Sequence, residues 1–368
     1  MKKLLTVLLV ALLTISMAAC GEKTNGGDTD TKKKVAVLLP YIGDQSYFDT
    51  LNNGVVKANA EYGDQVEVTL IEADPKGSAD KATWENAYAE VCEDGQYDLV
   101  ISGNATYEGF LADACAKYPD QMFMNFDTSW SIETPANCYA VSYGLDDLGY
   151  VVGTLSAAIT KTNRVGVVVG MDNQAMNQFI AGYCQVLASK NVEYAVVYPN
   201  SFTDTALGKE YTDRLIKDNN CDVIWQVAGG LGNGVIEACS NYDTVWCVGV
   251  DQDQYAQFAE TNPTWAKTII TSALKNTDQA LINAVQMVID GSISAKMGKY
   301  EVLGIKENCV GLAENDYYLA NVPEDVRKEI ADTLSAVANG EVEVADTMTM
   351  TDYENQWPTI RDANRINK

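Results

Sequence analysis

The stretch from Val223 to Asp253 restricts what this chain can fold into more than any other. Val223-Ile224-Trp225-Gln226-Val227 is a short apolar run rich in β-branched and aromatic residues, the pattern of a buried strand. It breaks into Ala228-Gly229-Gly230-Leu231-Gly232-Asn233-Gly234 and resumes as Val235-Ile236-Glu237-Ala238-Cys239, the opening of a helix. A second strand, Val245 to Val250, stops at Asp251-Gln252-Asp253-Gln254. In a parallel α/β sheet both loops emerge at the carboxyl ends of strands, where such sheets bind ligands. Glycines let a ligand approach the backbone, and the helix that follows offers unpaired N–H groups. The plainer alternative is a tight turn, but two such loops in one βαβ unit favour binding.

The same alternation runs from Lys34 onward. Strands are expected at Val35–Pro40, Val66–Glu72, Asp98–Ser102 and Met122–Phe126, with helices at Thr50–Tyr62, Ser78–Glu93 (Ser78 and Asp80 as caps) and Tyr107–Lys117. A second series begins after Asn137, with helices at Leu148–Thr160, Asn177–Ser189 and Ala206–Lys217 and strands at Val165–Val169 and Tyr194–Tyr198. The pattern predicts an α/β fold with a parallel sheet covered on both faces in each of two similar lobes. Farther on, Thr268–Ala273 reads as a strand and Thr277–Asp290 as a helix. Tyr300–Leu303 and Val310–Leu312 read as strands of an added ribbon, and Pro323–Ala338 as an amphipathic helix. The last twenty residues carry no readable motif.

Charge and composition exclude several function classes. The formal charge is −25, which argues against nucleic acid or an anionic membrane surface as partner. There is no histidine, so the commonest general base and most zinc sites are missing. The glycine loop fails G-x-G-x-x-G because Val235 stands where the third glycine belongs. No catalytic residue, metal or cofactor is therefore expected, and the chain is not expected to be an enzyme.

At the start, Lys2 and Lys3 precede an apolar run from Leu4 to Met17, and Ala18-Ala19 then leads into Cys20. This is a signal peptide over residues 1–19, too short to span a bilayer comfortably. Its junction resembles the bacterial lipobox, which implies lipidation of Cys20, a flexible tether over residues 20–33, and attachment to the outer face of the cell membrane. Cleavage removes two lysines and no acid, making the charge −25 − 2 = −27. The eight cysteines that remain show neither C-x-x-C nor metal spacing, and are read as mostly reduced, buried thiols.

Loops at the strand ends collect Asp44, Tyr47, Asn104, Asp127, Trp130, Phe202, Gly229, Gly230, Asp251 and Lys275. Ionised carboxylates accept hydrogen bonds from neighbouring hydroxyls, and aromatic faces take a flat ring, so this set suits a neutral, hydroxyl-bearing, ring-containing ligand. Each residue also has a plainer use. The three aspartates could serve caps or turns, Lys275 could be a solvated helix residue, and Phe202 could be core.

Six stretches in this order resemble the basic membrane protein family, nucleoside-binding lipoproteins related to the purine nucleoside receptor. They are Gly43-Asp44-Gln45-Ser46-Tyr47, Asn125-Phe126-Asp127-Thr128-Ser129, Ser201-Phe202-Thr203-Asp204, the glycine loop Val227 to Gly234, Gly249-Val250-Asp251-Gln252-Asp253-Gln254, and Thr271-Ser272 with Lys275. The resemblance implies a type I periplasmic-binding fold, two doubly wound parallel-sheet lobes joined by three crossovers, acting as a monomer that delivers a nucleoside to the permease of an ABC transporter. It implies that Asp127 and Asp251 hold ribose hydroxyls, that Gly229 or Gly230 approaches by backbone, and that Lys275 donates to a ligand oxygen. Phe202 would stack on the base and Asp44 read its edge. Where the family places a second stacking ring this chain has Asn52, with Tyr47, Phe48 and Trp130 as candidate substitutes. Lobe 1 is expected from residues 34–142 and 252–291, and lobe 2 from 143–251 and 292–368, with crossovers near Ser142, Asp251 and Gly291. The alternative function is binding of another ring-bearing or sugar-like ligand for signalling to a membrane sensor.

Overall fold

Residues Val35 to Leu39 of the first strand are all fully buried, because helices cover both faces of the sheet they join. The computed structural model describes residues 32–75, 80–93, 95–103, 105–128 and 133–367. In chain order β1 (Lys33–Leu39), α1 (Tyr47–Tyr62), β2 (Val66–Glu72), α2 (Lys81–Cys92), β3 (Leu99–Ser102), α3 (Glu108–Lys117), β4 (Phe123–Phe126) and β5 (Cys138–Tyr143) come first. The second series is α4 (Leu145–Ile159), β6 (Arg164–Val169), α5 (Gln174–Ser189), β7 (Glu193–Val197), α6 (Thr205–Lys217), β8 (Val223–Val227), α7 (Gly232–Cys239) and β9 (Trp246–Asp251). Two short helices, α8 (Gln254–Ala259) and α9 (Pro263–Ala266), lead to β10 (Ile269–Lys275). The tail adds α10 (Thr277–Asp290), β11 (Tyr300–Leu303), β12 (Val310–Leu312), α11 (Asp316–Asn321), α12 (Glu324–Ala338) and α13 (Tyr353–Arg361).

The strands form two sheets with matching orders, β2-β1-β3-β4-β5-β11 and β7-β6-β8-β9-β10-β12. Every pairing is parallel except β10 with β12. This is the α/β architecture of two doubly wound sheets that the alternation predicts. The chain crosses between them three times: after Tyr143, between Lys275 and Thr277, and between Leu303 and Val310.

Two expectations about those crossings are corrected. β10 lies beside β9 in the second sheet, with Ser272 opposite Gly249, so residues 252–291 do not all belong to lobe 1. Only α10 returns there, docking on α1 through an ion pair of Lys57 with Asp278 at 2.6 Å. The strands at 300 and 310 make no ribbon, because β11 pairs with β5 in the first sheet and β12 with β10 in the second. Residues 292–368 are thus divided as well. Each strand satisfies its backbone on a sheet edge distant in sequence, a choice that apolar patterning does not record.

Local capping follows the chemistry expected of Asp and Asn. Asp80 accepts from the Thr83 N–H at 3.0 Å, Asn173 from Met176 at 2.9 Å, and Asp253 from Ala256 at 3.1 Å. Asp253, one of the two neighbouring loop carboxylates, is therefore a cap, and it also holds the Asn315 amide at 2.9 Å. Among the described residues no helix is long and apolar enough to cross a membrane. The expected signal peptide, the lipidated Cys20, most of the tether, and Ser78, Asn104 and Trp130 lie outside the described residues.

Candidate functional site

Where the carboxyl ends of the two sets of strands face each other, they enclose a cavity of about 350 Å³. All eight residues singled out for ligand binding line it: Asp44, Tyr47, Asp127, Phe202, Gly229, Gly230, Asp251 and Lys275. The strand ends bring them together. Asp44 and Tyr47 follow β1, Asp127 follows β4, Phe202 follows β7, the glycines follow β8, and Asp251 and Lys275 end β9 and β10.

Asp127 and Asp251 sit at equivalent places in the two lobes and share a backbone feature. Both have positive φ, 76° and 66°, a region that costs an L-residue energy and that Asp tolerates better than most. Backbone strain of this kind concentrates at functional sites. The N–H groups of Asp127 and Thr128 both donate to the Val141 carbonyl, at 2.9 and 2.8 Å, which anchors the first of these turns.

The loop after β1 is built around Asp44. Its carboxylate accepts from the N–H groups of Ser46 and Phe48 at 3.0 Å and of Asp49 at 3.1 Å. Cap service and cavity lining are therefore combined in one side chain, and burial raises its pKa above the ordinary carboxylate value. Asp49 in turn accepts from Gly43 at 2.6 Å and Gln45 at 2.9 Å, and both of these residues have positive φ, 97° and 55°.

Lys275 is no solvated helix residue. It is 3% exposed, donates to Asp127 Oδ1 at 2.7 Å, and lies 4.9, 5.0 and 5.6 Å from the ring centres of Tyr47, Tyr143 and Phe179. A carboxylate and three aromatic faces compensate a buried ammonium that would otherwise be costly. Asp251 is 7% exposed and accepts from the Ser46 hydroxyl of the opposite lobe. Burial pushes its pKa up to about 6, against the opposing pull of Lys275 and Ser46. Tyr47 donates its hydroxyl to the Gly103 carbonyl, and burial drives its pKa well upward.

Phe202 is 40% exposed and so is not core. Its ring lies against Gly170, where an added Cβ would come within 2.4 Å of it, and its carbonyl accepts from the Leu231 N–H at 2.8 Å. That N–H is consequently turned away from any ligand. Of the loop glycines, Gly229 has φ +55° and Gly230 lines the cavity. Gly234 serves packing instead, since a Cβ there would lie 1.9 Å from the Thr205 carbonyl oxygen.

Sequence reasoning missed further wall residues, among them Tyr107, Ser142, Asn173, Met176, Gln178 and Met348. Asn173 and Met176 follow the end of β6, so the strand-end rule that found the others applies to them too. Met348 had no sequence signal. Phe48 lines the cavity, while Asn52 is not among its wall residues. Among the described residues no cluster of Cys, Asp or Glu is placed to hold a metal ion.

Comparison with known proteins agrees with this geometry. The Bmp family, described as ABC transporter substrate-binding protein PnrA-like, matches residues 32–347. Basic membrane protein A of Borreliella burgdorferi is 26% identical, over 91% of this chain and 94% of its own length. The ABC transporter nucleoside-binding protein BmpA of Lactococcus lactis is 22% identical, over 93% of this chain and 99% of its own. In fold, the chain resembles a crystal structure of an ABC transporter solute-binding protein from Aeropyrum pernix, with a TM-score of 0.74 and 22% identity over 90% of this chain and 98% of that one. Solute-binding proteins of this kind work outside the cytoplasm, take a small molecule, pass it to a transporter, and are not enzymes. The chain belongs to the Bmp family of PnrA-like substrate-binding proteins of ABC transporters.

Proposed function

We propose that this protein is a lipid-anchored monomer that captures a nucleoside, with a purine nucleoside favoured, and hands it to its transporter. The observation that carries this reading is the chemistry of one wall. Asp127 and Asp251 face the cavity from opposite lobes beside the backbone of Gly229 and Gly230, with Phe202, Tyr41, Phe48 and Tyr107 around the same space. Two carboxylates suit the paired hydroxyls of a ribose, and aromatic faces suit a flat base. The volume of about 350 Å³ is in the range of small-molecule sites. Lys275 is the sole cation on the wall among the described residues and is already paired with Asp127. A phosphate ester would meet carboxylates without a free counter-charge, so the uncharged nucleoside is preferred over its nucleotide. The Lactococcus lactis relative, a nucleoside-binding protein of an ABC transporter, supports the same class.

Thermal shift against nucleosides, nucleotides, bases and sugars tests this. A ligand at ~100 times its dissociation constant adds about 2.7 kcal/mol of stability. Shifts with nucleosides and none with their 5′-phosphates are expected; a response to sugars alone would refute the reading. The anchor is tested separately, since Cys20→Ala should move the protein from the membrane fraction to the medium.

A further inference from the structure

The family match ends at residue 347, but the cavity wall does not. Met348 stands on it beside Asn173, Met176 and Gln178 of the second lobe. It is brought there by a strap, residues 343–350, tied along α5. The Gln185 side chain donates to the Glu343 carbonyl at 2.9 Å and accepts from the Ala345 N–H at 2.7 Å. Gln174 donates to the Thr347 carbonyl at 2.7 Å, and the fully buried Thr347 returns its hydroxyl to the Gln174 carbonyl at 2.8 Å. Farther on, the Asn177 amide donates to the Tyr353 hydroxyl at 2.7 Å. Positions 174, 177 and 185 fall on one stripe of a helix with 3.6 residues per turn, so a row of amides grips the strap. Asp346 then accepts from the Met348 N–H at 2.9 Å, which tightens the turn that delivers Met348 to the cavity.

A thioether is flexible and polarisable, and fits its shape to the apolar group it meets. Met176 and Met348 together make such a wall, against the carboxylates and amides elsewhere in the cavity. On the nucleoside reading above, we propose that Met348, on the strap held along α5, is a specificity-determining residue that closes one side of the ligand cavity and sets the size of the group admitted there.

The test is calorimetry of the full chain and of Met348→Ala and Met348→Trp with adenosine, guanosine, inosine and uridine, with melting curves to verify folding. Met348→Trp should weaken the nucleosides that bind the parent by about tenfold or more, and Met348→Ala should narrow the difference between large and small bases. Unchanged affinities and ratios in folded variants overturn the proposal. If the parent binds none of the four, the nucleoside reading fails, and the placement of residue 348 is judged from Met348→Cys. The eight cysteines among the described residues are all buried, so labelling in excess of the parent reports the new thiol. A small methanethiosulfonate should label it and a polymeric maleimide should not. Equal labelling by both reagents, or by neither, removes residue 348 from the cavity wall and overturns the proposal.

Discussion

Burial acts on Asp251 in two opposed ways. It sharpens the carboxylate as a hydrogen-bond acceptor for ligand, and it penalises the charge when no ligand is present. Its pKa moves from 3.8 to about 6, so the folded protein holds the proton more tightly than the unfolded chain. The stabilising contribution is complete below pH 3.8 and is lost as pH rises through about 6. Asp251→Asn should therefore raise the melting temperature at pH 7 and flatten its dependence on pH between 4 and 6. The same variant should bind nucleoside about tenfold more weakly, because a neutral acceptor replaces a charged one. For the parent, affinity should fall as pH drops below 6, and calorimetry at several pH values checks this. An affinity independent of pH would detach Asp251 from the ligand. Sequence singled out this residue as an acid at a strand end. It could not register the left-handed backbone at Asp251 or the Ser46 hydroxyl reaching it from the other lobe, because both arise from chain segments far apart in order.

Among the elements, the α4–α5 contact depends on small residues. A Cβ at Gly149 would lie 1.9 Å from the Phe179 carbonyl oxygen, and one at Gly182 would lie 2.2 Å from that of Asp146. Backbone cannot yield as a side chain can, so Gly149→Ala should cost about 1–3 kcal/mol, measured by urea unfolding. An unchanged midpoint would show that the two helices can separate freely. The start of α4 also carries a charge conflict. Burial, with Asp346 and Asp147 nearby, pushes Asp146 from 3.8 up to about 8. Asp146 is thus mostly protonated near neutrality, and the stability tied to that proton disappears as pH rises through about 8. Unfolding at pH 7 and 9 should show a loss that is larger in the parent than in Asp146→Asn. Gly149 and Asp146 are both visible in the sequence, yet neither meaning is, since the partner helix and the strap supply it.

For the molecule as a whole, three hydrogen bonds among the described residues tie one lobe to the other. Ser46 donates to Asp251, Asn233 donates to Gln45 at 2.9 Å, and Lys275 donates to Asp127 at 2.7 Å. All three join the lobes without a ligand, so they favour closure before binding. Ser46→Ala combined with Asn233→Ala should enlarge the radius of gyration in small-angle scattering without ligand, and adenosine should restore the compact form. Identical profiles for parent and variant would mean that these bonds do not govern closure.

Apolar periodicity and turn chemistry determined the alternation of strands and helices, and with it the expectation that strand-end loops share one cavity. The eight residues it singled out line one cavity, because a parallel sheet necessarily gathers its carboxyl ends at one edge. Tertiary structure alone decided which sheet receives β10, β11 and β12, which residues beyond the strand ends complete the wall, and how Lys275 is neutralised. Apolar strands occur in both sheets, so their patterning does not record beside which neighbour each one lies. Contacts between segments separated by a hundred residues or more, such as Lys275 with Asp127 or Thr347 with Gln174, exist only once the chain has folded.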